Sequence, residues 1–199
     1  MALLFVSIGL LLYVCFGNAR FYQENALFEF GQNILLLMGC VAFFIATSRA
    51  ASKICHSIMW GLTLFCASLF FRELEVRGTM LEAYLEVFFQ HRIHYLLLLV
   101  FWSILLLVAF ADFKETWDRA LQWGFSRSGV WLLVGVGFYI TGDMAEKNFF
   151  TREETMAKMI EESLELLATL NIFCAGYVTL RRQETLTTSL QTLSPDGER

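Results

Sequence analysis

Acidic side chains recur at helical spacing where apolar segments of this chain begin or end. Glu161 and Glu165 are four residues apart, and Asp143 and Glu146 are three apart, so each pair shares one face of a helix. Carboxylates this close repel one another when all of them are ionised. Each pair must therefore be partly protonated, paired with a basic residue or bound to a cation, and each of these states suggests a different function.

Polar residues at other segment ends extend the set of candidate metal ligands. Carboxylates from several helices, joined by a histidine, are the ligand types of di-iron and di-manganese helical bundles. A carboxylate-rich site with few histidines favours such metals over copper. The candidate ligands for a divalent metal such as Mn, Fe or Zn are Glu73, Glu75, His94, Asp143, Glu161 and Glu165.

The same carboxylates could act as general acid and base on a lipid-like substrate. Two carboxyl groups divide these roles when their environments differ. Glu165 lies deepest in its apolar segment and is the candidate acid, while Asp143 and Glu73 are the candidates for the ionised partner. Arg72 and Gln32 are the candidates for contacting a cofactor or a lipid headgroup. This hypothesis makes the protein an enzyme of the lipid–water interface.

Two functions without catalysis stay open. A proton or cation path would run along the last apolar segment, from Glu165 past Thr169 and Asn171. A structural or interaction protein would instead use the charges to fix helix packing, with Arg72 paired to Glu165 in an ion-paired lid.

The composition of the chain is that of a membrane protein. Hydrophobic residues make up 57% and charged residues 17% of its 199 residues, and the mean hydropathy is +0.56. Soluble domains average about 45–50% apolar and about 25% charged residues. A net charge of −4 without a basic patch argues against nucleic-acid binding. The five cysteines form no CxxC pair, which argues against a redox motif or a zinc ribbon.

Six segments approach the length of about 20 residues that crosses a bilayer as a helix. We therefore predict an all-α integral membrane bundle with spans at Ala2–Gly17, Ala26–Thr47, Ile54–Phe71, Tyr95–Ala111, Gly129–Gly142 and Met159–Leu180. Two connecting segments, Gly78–Gln90 and Asp112–Gly124, are predicted to form short amphipathic helices in the membrane interface. The membrane domain covers residues 1–182, and the polar residues 183–199 are predicted to form a flexible tail.

The first segment has the length of a signal-peptide core as well as that of a short span. Gly17-Asn18-Ala19 offers small residues at the positions that a signal peptidase requires, but no Lys or Arg precedes Ala2–Gly17. We expect this segment to be retained as the first span, with cleavage as the alternative.

Six spans place both termini on one side of the membrane, which we name side one, and gather the candidate site residues on the other, side two. Basic residues are nearly balanced, with eight on side one and seven on side two. The positive-inside rule therefore assigns side one to the cytoplasm only if basic residues of side two are held in ion pairs. We predict a multi-pass inner-membrane protein with both termini cytoplasmic. Its partners would be membrane lipids and either a second copy of the chain or another membrane protein.

Three short stretches resemble small multi-pass inner-membrane proteins of bacteria that lack an assigned activity. They are Glu24-Asn25-Ala26-Leu27-Phe28-Glu29, Arg72-Glu73-Leu74-Glu75 and Glu161-Glu162-Ser163-Leu164-Glu165. The resemblance implies a bacterial inner membrane and gives weight to the acidic residues, but it names no reaction. Alkaline-ceramidase-like membrane hydrolases, which hold zinc with three histidines and an aspartate, differ because only two histidines of this chain lie on side two.

Overall fold

The structure, a computed structural model, describes residues 27–50, 52–73, 93–147 and 153–192. This part of the chain folds into six α-helices and contains no strand. The helices are α1 (Leu27–Ser48), α2 (Lys53–Glu73), α3 (Ile93–Ala111), α4 (Phe113–Gly124), α5 (Arg127–Glu146) and α6 (Glu154–Thr192). The all-helical fold class predicted from the sequence is confirmed for these residues.

Five of these helices are long and apolar enough to span a membrane. The parts that could span a membrane are Phe28–Ser48, Lys53–Arg72, Ile93–Ala111, Arg127–Ala145 and Met156–Arg182. Each agrees with a predicted span to within a few residues at either end. The predicted first span, Ala2–Gly17, and the predicted amphipathic helix Gly78–Gln90 lie outside the described residues.

Helix α6 is the centre of the bundle. It packs along α1 and α5, while α2 packs against α1, and α3 packs mainly against α2. Accordingly, 44% of an 18-residue apolar stretch of α6 is buried, compared with 6% of the corresponding stretch of α3. The polar residues of α6 are therefore positioned chiefly by α1 and α5.

Small residues bring the central helices into close contact. A methyl group added at Gly176 of α6 would lie 3.1 Å from the Cβ of Ala42 in α1. One added at Gly135 of α5 would lie 2.9 Å from the carbonyl oxygen of Ala168 in α6. Because lipid provides no hydrophobic drive for helices to associate, such close van der Waals packing holds transmembrane helices together.

Helix α3 is exposed over most of its length. Its span has a hydropathy of 2.5, the highest of the five, and Leu99, Ile104 and Leu107 are more than half exposed. An apolar surface of this kind is suited to contact with lipid. The buried residue of α3 is His94, in its first turn, so α3 approaches the candidate site only through its beginning.

Helix α4, predicted from the sequence over Asp112–Gly124, is short and amphipathic. Thr116 and Ala120 face α2, α3 and α5, whereas Phe113 and Trp117 are more than half exposed. The ring of Phe113 stacks on that of Trp117, with centroids 6.2 Å apart. Part of the apolar stripe therefore points away from the helices that the structure describes.

Helix α6 continues beyond the predicted membrane domain. Its membrane-spanning part ends at Arg182, but the helix runs to Thr192, into the segment predicted as a flexible tail. A polar composition places such a segment outside the membrane, and it does not by itself end a helix.

Candidate functional site

The up-and-down course of the spans brings five helix ends together on side two. Helices α1, α3 and α6 begin there, and α2 and α5 end there. Gly135, next to the midpoint of the α5 span, packs against Asn171 of α6. At 1.5 Å per residue, Glu165 lies about 9 Å from Asn171 towards side two. Since half of the hydrocarbon core is about 15 Å thick, the Glu165 backbone lies within the part of α6 that could cross this core.

An ion pair joins α2 to α6 at this depth. The Nη2 atom of Arg72 donates a hydrogen bond to Oε1 of Glu165 at 2.9 Å. The Glu165 side chain is 11% exposed and the Arg72 side chain 49% exposed. The Arg72 guanidinium also lies 5.0 Å from the centre of the Tyr139 ring in α5, a cation–π distance. This is the pairing that the scaffold hypothesis expects, and it connects three helices.

A second polar contact joins α1 to α6. Gln32 is fully buried, and its Nε2 donates to the carbonyl oxygen of Glu162 and to Oε2 of the same residue, each at 3.2 Å. We define the polar cluster as the residues of these two contacts, Gln32, Arg72, Tyr139, Glu162 and Glu165. Three of the residues selected from the sequence, Gln32, Arg72 and Glu165, are therefore brought into it.

Asp143 has a separate, solvent-facing partner. Its Oδ2 accepts a hydrogen bond from Nζ of Lys147, one turn further along α5, and both side chains are more than half exposed. The candidate acid Glu165 and the candidate base Asp143 are thus each held by a different basic residue.

Asp143→Asn is expected to change the free energy of unfolding by less than about 0.5 kcal/mol, because exposed ion pairs four residues apart on a helix contribute about 0.3–0.5 kcal/mol. Unfolding of the purified protein in mixed micelles of detergent and SDS would measure this. A loss of about 2 kcal/mol or more would show that Asp143 has a structural role beyond an exposed ion pair.

The described residues include no group of three His, Cys, Asp or Glu side chains placed to hold a metal ion. His94 is buried, with its ring centroid 5.8 Å from that of Phe71. Glu161 is half-buried in α6, Glu73 is the last residue of α2, and Glu75 lies outside the described residues. The side chains that the structure describes therefore do not assemble the predicted site for Mn, Fe or Zn.

The polar residues of α6 extend from side two to about the middle of the membrane. Beyond Asn171, Ile172 and Ala175 are fully buried. The buried hydroxyl of Thr179 donates to the carbonyl oxygen of Ala175 in its own helix. Among the described residues of α6, a polar entry from side two is thus followed by apolar packing towards side one, which does not favour a proton or cation path.

Two residues of α5 that the sequence does not single out help to position the ion pair. Tyr139 is 8% exposed and lies beneath the Arg72 guanidinium. A methyl group at Gly142 would meet Cγ of Glu165 at 3.4 Å, an ordinary van der Waals distance, so Gly142 lies directly beside this side chain. The signal that could have identified them is helical spacing, because Tyr139 lies four residues before Asp143 and Gly142 lies four residues before Glu146.

Comparison with known proteins gives no relative for this arrangement. No family model, no curated protein and no solved structure matches the chain. The geometry of the polar cluster is therefore the basis for inferring a function.

Proposed function

We propose that the protein is a structural or interaction protein of the membrane, whose polar cluster fixes the arrangement of its helices. It would act through the surface that this arrangement presents to lipid or to a partner. The observation that carries the proposal is the Arg72–Glu165 ion pair, which links α2 to α6 beside Tyr139 of α5.

The second polar contact supports the same role, because Gln32 links α1 to α6 through Glu162. Charged and amide groups are costly to place inside a membrane, so they face the bundle interior and bind one another. Buried polar pairs of this kind can specify which helix faces meet, even where they add little stability.

The geometry favours helix fixation over acid–base catalysis. Glu165 is held by Arg72 and Asp143 by Lys147. Each of these carboxylates is therefore already engaged by a basic side chain, an arrangement that suits helix fixation better than proton transfer to a substrate. A divalent metal is not part of the proposal, because the described side chains do not gather its ligands.

A second candidate function, binding of a lipid-like molecule, is favoured by buried polar atoms. Gln32 Oε1, Ser163 Oγ and Asn171 Oδ1 have no hydrogen-bond partner among the described residues. Each buried unsatisfied polar atom costs about 1–3 kcal/mol. A polar headgroup entering from side two could satisfy some of them, with the half-exposed Arg72 side chain as a further contact.

We further propose that side one is cytoplasmic in a bacterial inner membrane, and that Ala2–Gly17 is the first span and brings the total to six. Arg72 and Lys147, two basic residues of side two, are held in ion pairs. The positive-inside rule assigns side one to the cytoplasm if Arg72, Arg77, Lys147 and Lys158 are all held in this way, and these two ion pairs supply half of that condition. Helix α4 would lie in the side-one interface, because its exposed Phe113 and Trp117 suit the boundary between acyl chains and headgroups.

The test measures stability and bound lipid in the same preparations of wild type, Gln32→Leu and Glu165→Gln. A structural role predicts that both variants lose about 1 kcal/mol of unfolding free energy, while the molecules that remain folded keep the same co-purified lipids. Lipid extraction and mass spectrometry would quantify the second readout, with Asp143→Asn as the control. Variants as stable as wild type that have lost a co-purified lipid would overturn the structural proposal in favour of a binding site.

A further inference from the structure

An apolar groove opens between α2, α3, α4 and α5 in the side-one part of the bundle. Its volume is about 410 Å³, and its walls include Gly61, Trp102, Ala109 and Trp123. A second groove of about 370 Å³ flanks the same α2–α3 contact and shares Ser57 and Leu105 with the first. The two grooves show that α3 is loosely packed against α2 towards side one.

The depth of the larger groove matches one leaflet of a bilayer. Its α2 residues run from Ser57 to Phe65, which is about 12 Å along the helix axis. The α2 span extends from Lys53 to Arg72. Measured along this helix, the groove begins about 8 Å from the midpoint of the span on the side-one half and ends about 4 Å beyond the midpoint. This interval lies within the hydrocarbon core, whose half-thickness is about 15 Å.

The shape and lining of the groove restrict what can occupy it. Its volume of about 410 Å³ extends over about 12 Å along the helices, so the space is elongated. Water is disfavoured because the lining offers it almost no polar partners. A hydrocarbon chain is both elongated and apolar and meets both requirements.

The side-one end of the groove is suited to an anionic headgroup. Lys53 lies one turn before Ser57, and Arg127 begins α5, which contributes Leu132 to the groove wall. Lys53 and Arg127 are both exposed. Since α2 and α5 both begin on side one, the partly positive ends of their helix dipoles point to the headgroup layer, where phosphate is favoured.

We propose that this groove binds an acyl chain of an anionic phospholipid from the side-one leaflet, with its phosphate beside Lys53 and Arg127. The site lies at the end of the bundle opposite the polar cluster and does not depend on the function proposed above.

Trp102 provides a built-in probe of the occupant. Its ring lines the groove and its indole N–H donates to Oγ of Ser68 at 3.1 Å, which fixes its position. A variant that keeps Trp102 as its one tryptophan, with Trp123 of the groove wall replaced by Phe so that the wall stays apolar, would be placed in phosphatidylcholine vesicles containing a small fraction of brominated lipid. Bromine on the acyl chain quenches a tryptophan that the chain contacts. Brominated phosphatidylglycerol would be compared with brominated phosphatidylcholine.

We expect the share of phosphatidylglycerol among lipids in the groove to be about five times its mole fraction in the vesicle. One basic residue near a membrane surface attracts anionic lipid by about 1 kcal/mol, which corresponds to this factor. Its quenching of Trp102 should therefore exceed that of the phosphatidylcholine probe. Ala109→Phe, which fills the groove, should abolish the difference, and Lys53→Gln, which removes one of the two basic headgroup contacts, should reduce it. The matched controls Ala111→Phe and Arg182→Gln, outside the groove, should preserve it.

Two results would overturn the proposal. The first is equal quenching by the two brominated lipids in the single-tryptophan protein without further substitutions, which would show ordinary lipid contact without selection. The second is weak quenching by both lipids together with a cross-linked dimer, which would show that a second copy covers the groove. Lys53→Gln changes an exposed side chain, so it keeps the test decisive if Ala109→Phe does not fold.

Discussion

Arg72→Leu is expected to lower the free energy of unfolding by about 2–3 kcal/mol, more than any other single change in the polar cluster. The substitution leaves the Glu165 side chain, 11% exposed, without the guanidinium that contacts it at 2.9 Å. Removing one partner of a fully buried pair costs about 3–5 kcal/mol. Because the Arg72 side chain is 49% exposed, water and headgroups screen the pair, and the loss falls below that range.

The two ends of the ion pair should respond unequally. After Glu165→Leu, the Arg72 side chain can turn its charge to the membrane interface, so a loss of only about 1 kcal/mol is expected. The double variant Arg72→Leu with Glu165→Leu should regain most of the loss, since apolar side chains often replace a buried ion pair at little cost. Unfolding in mixed micelles would measure all three variants.

The exposed Asp143–Lys147 pair on the same side of the membrane provides the control. Lys147→Leu breaks an ion pair whose side chains are both more than half exposed, and it should change stability by less than about 0.5 kcal/mol. If the losses of the two single variants at Arg72 and Glu165 simply add in the double variant, the residues are not coupled. The structural proposal would then lose its main support.

The helical bundle and the gathering of polar residues follow from the sequence for a plain physical reason. A span must be about 20 apolar residues long, so its ends are visible in composition alone. Up-and-down connection then assigns each end to a side. Arg72 closes one predicted span and Glu165 lies near the beginning of another, both on side two. Because their charges are opposite, their pairing was one of the expected contacts, and the structure contains this ion pair.

The sequence does not determine how each helix is rotated about its axis. The rotation of α6 turns Glu165 towards Arg72, whereas the rotation of α5 turns Asp143 outward, where it pairs with Lys147. Helix rotation also buries His94 beside Phe71. Rotation depends on close contacts at glycine and alanine, and these residues occur throughout transmembrane segments. The sequence therefore assigns the predicted metal ligands to the same side of the membrane, but the described ones among them do not come together in one site.

The corner between α4 and α5 shows how much depends on one such glycine. Ser126 caps α5 by accepting a hydrogen bond from the backbone N–H of Gly129 at 3.3 Å. A methyl group on Gly129 would overlap the carbonyl oxygens of Trp123 and Gly124, at the end of α4. Both obstacles are backbone atoms, so no change of side-chain conformation relieves the overlap.

Gly129→Ala is therefore expected to lower the free energy of unfolding by about 3 kcal/mol, at the upper end of the usual cost of overpacking. Its matched control is Gly137→Ala in the same helix, where an added methyl group meets no atom within 4 Å. This control should be within about 0.5 kcal/mol of wild type, or slightly more stable because alanine favours a helix. Equal stability of the two variants would show that a methyl group at position 129 does not overlap the carbonyl oxygens at the end of α4.

The corner also connects packing to the proposed lipid site. Opening it would displace α4, whose Thr116, Ala120 and Trp123 form one wall of the apolar groove. Gly129→Ala should therefore reduce the preference of Trp102 quenching for phosphatidylglycerol, whereas Arg72→Leu, at the other end of α2, should leave that preference intact in folded molecules. Loss of the preference in both variants would show that general loosening, and not the α4 wall, controls occupancy of the groove.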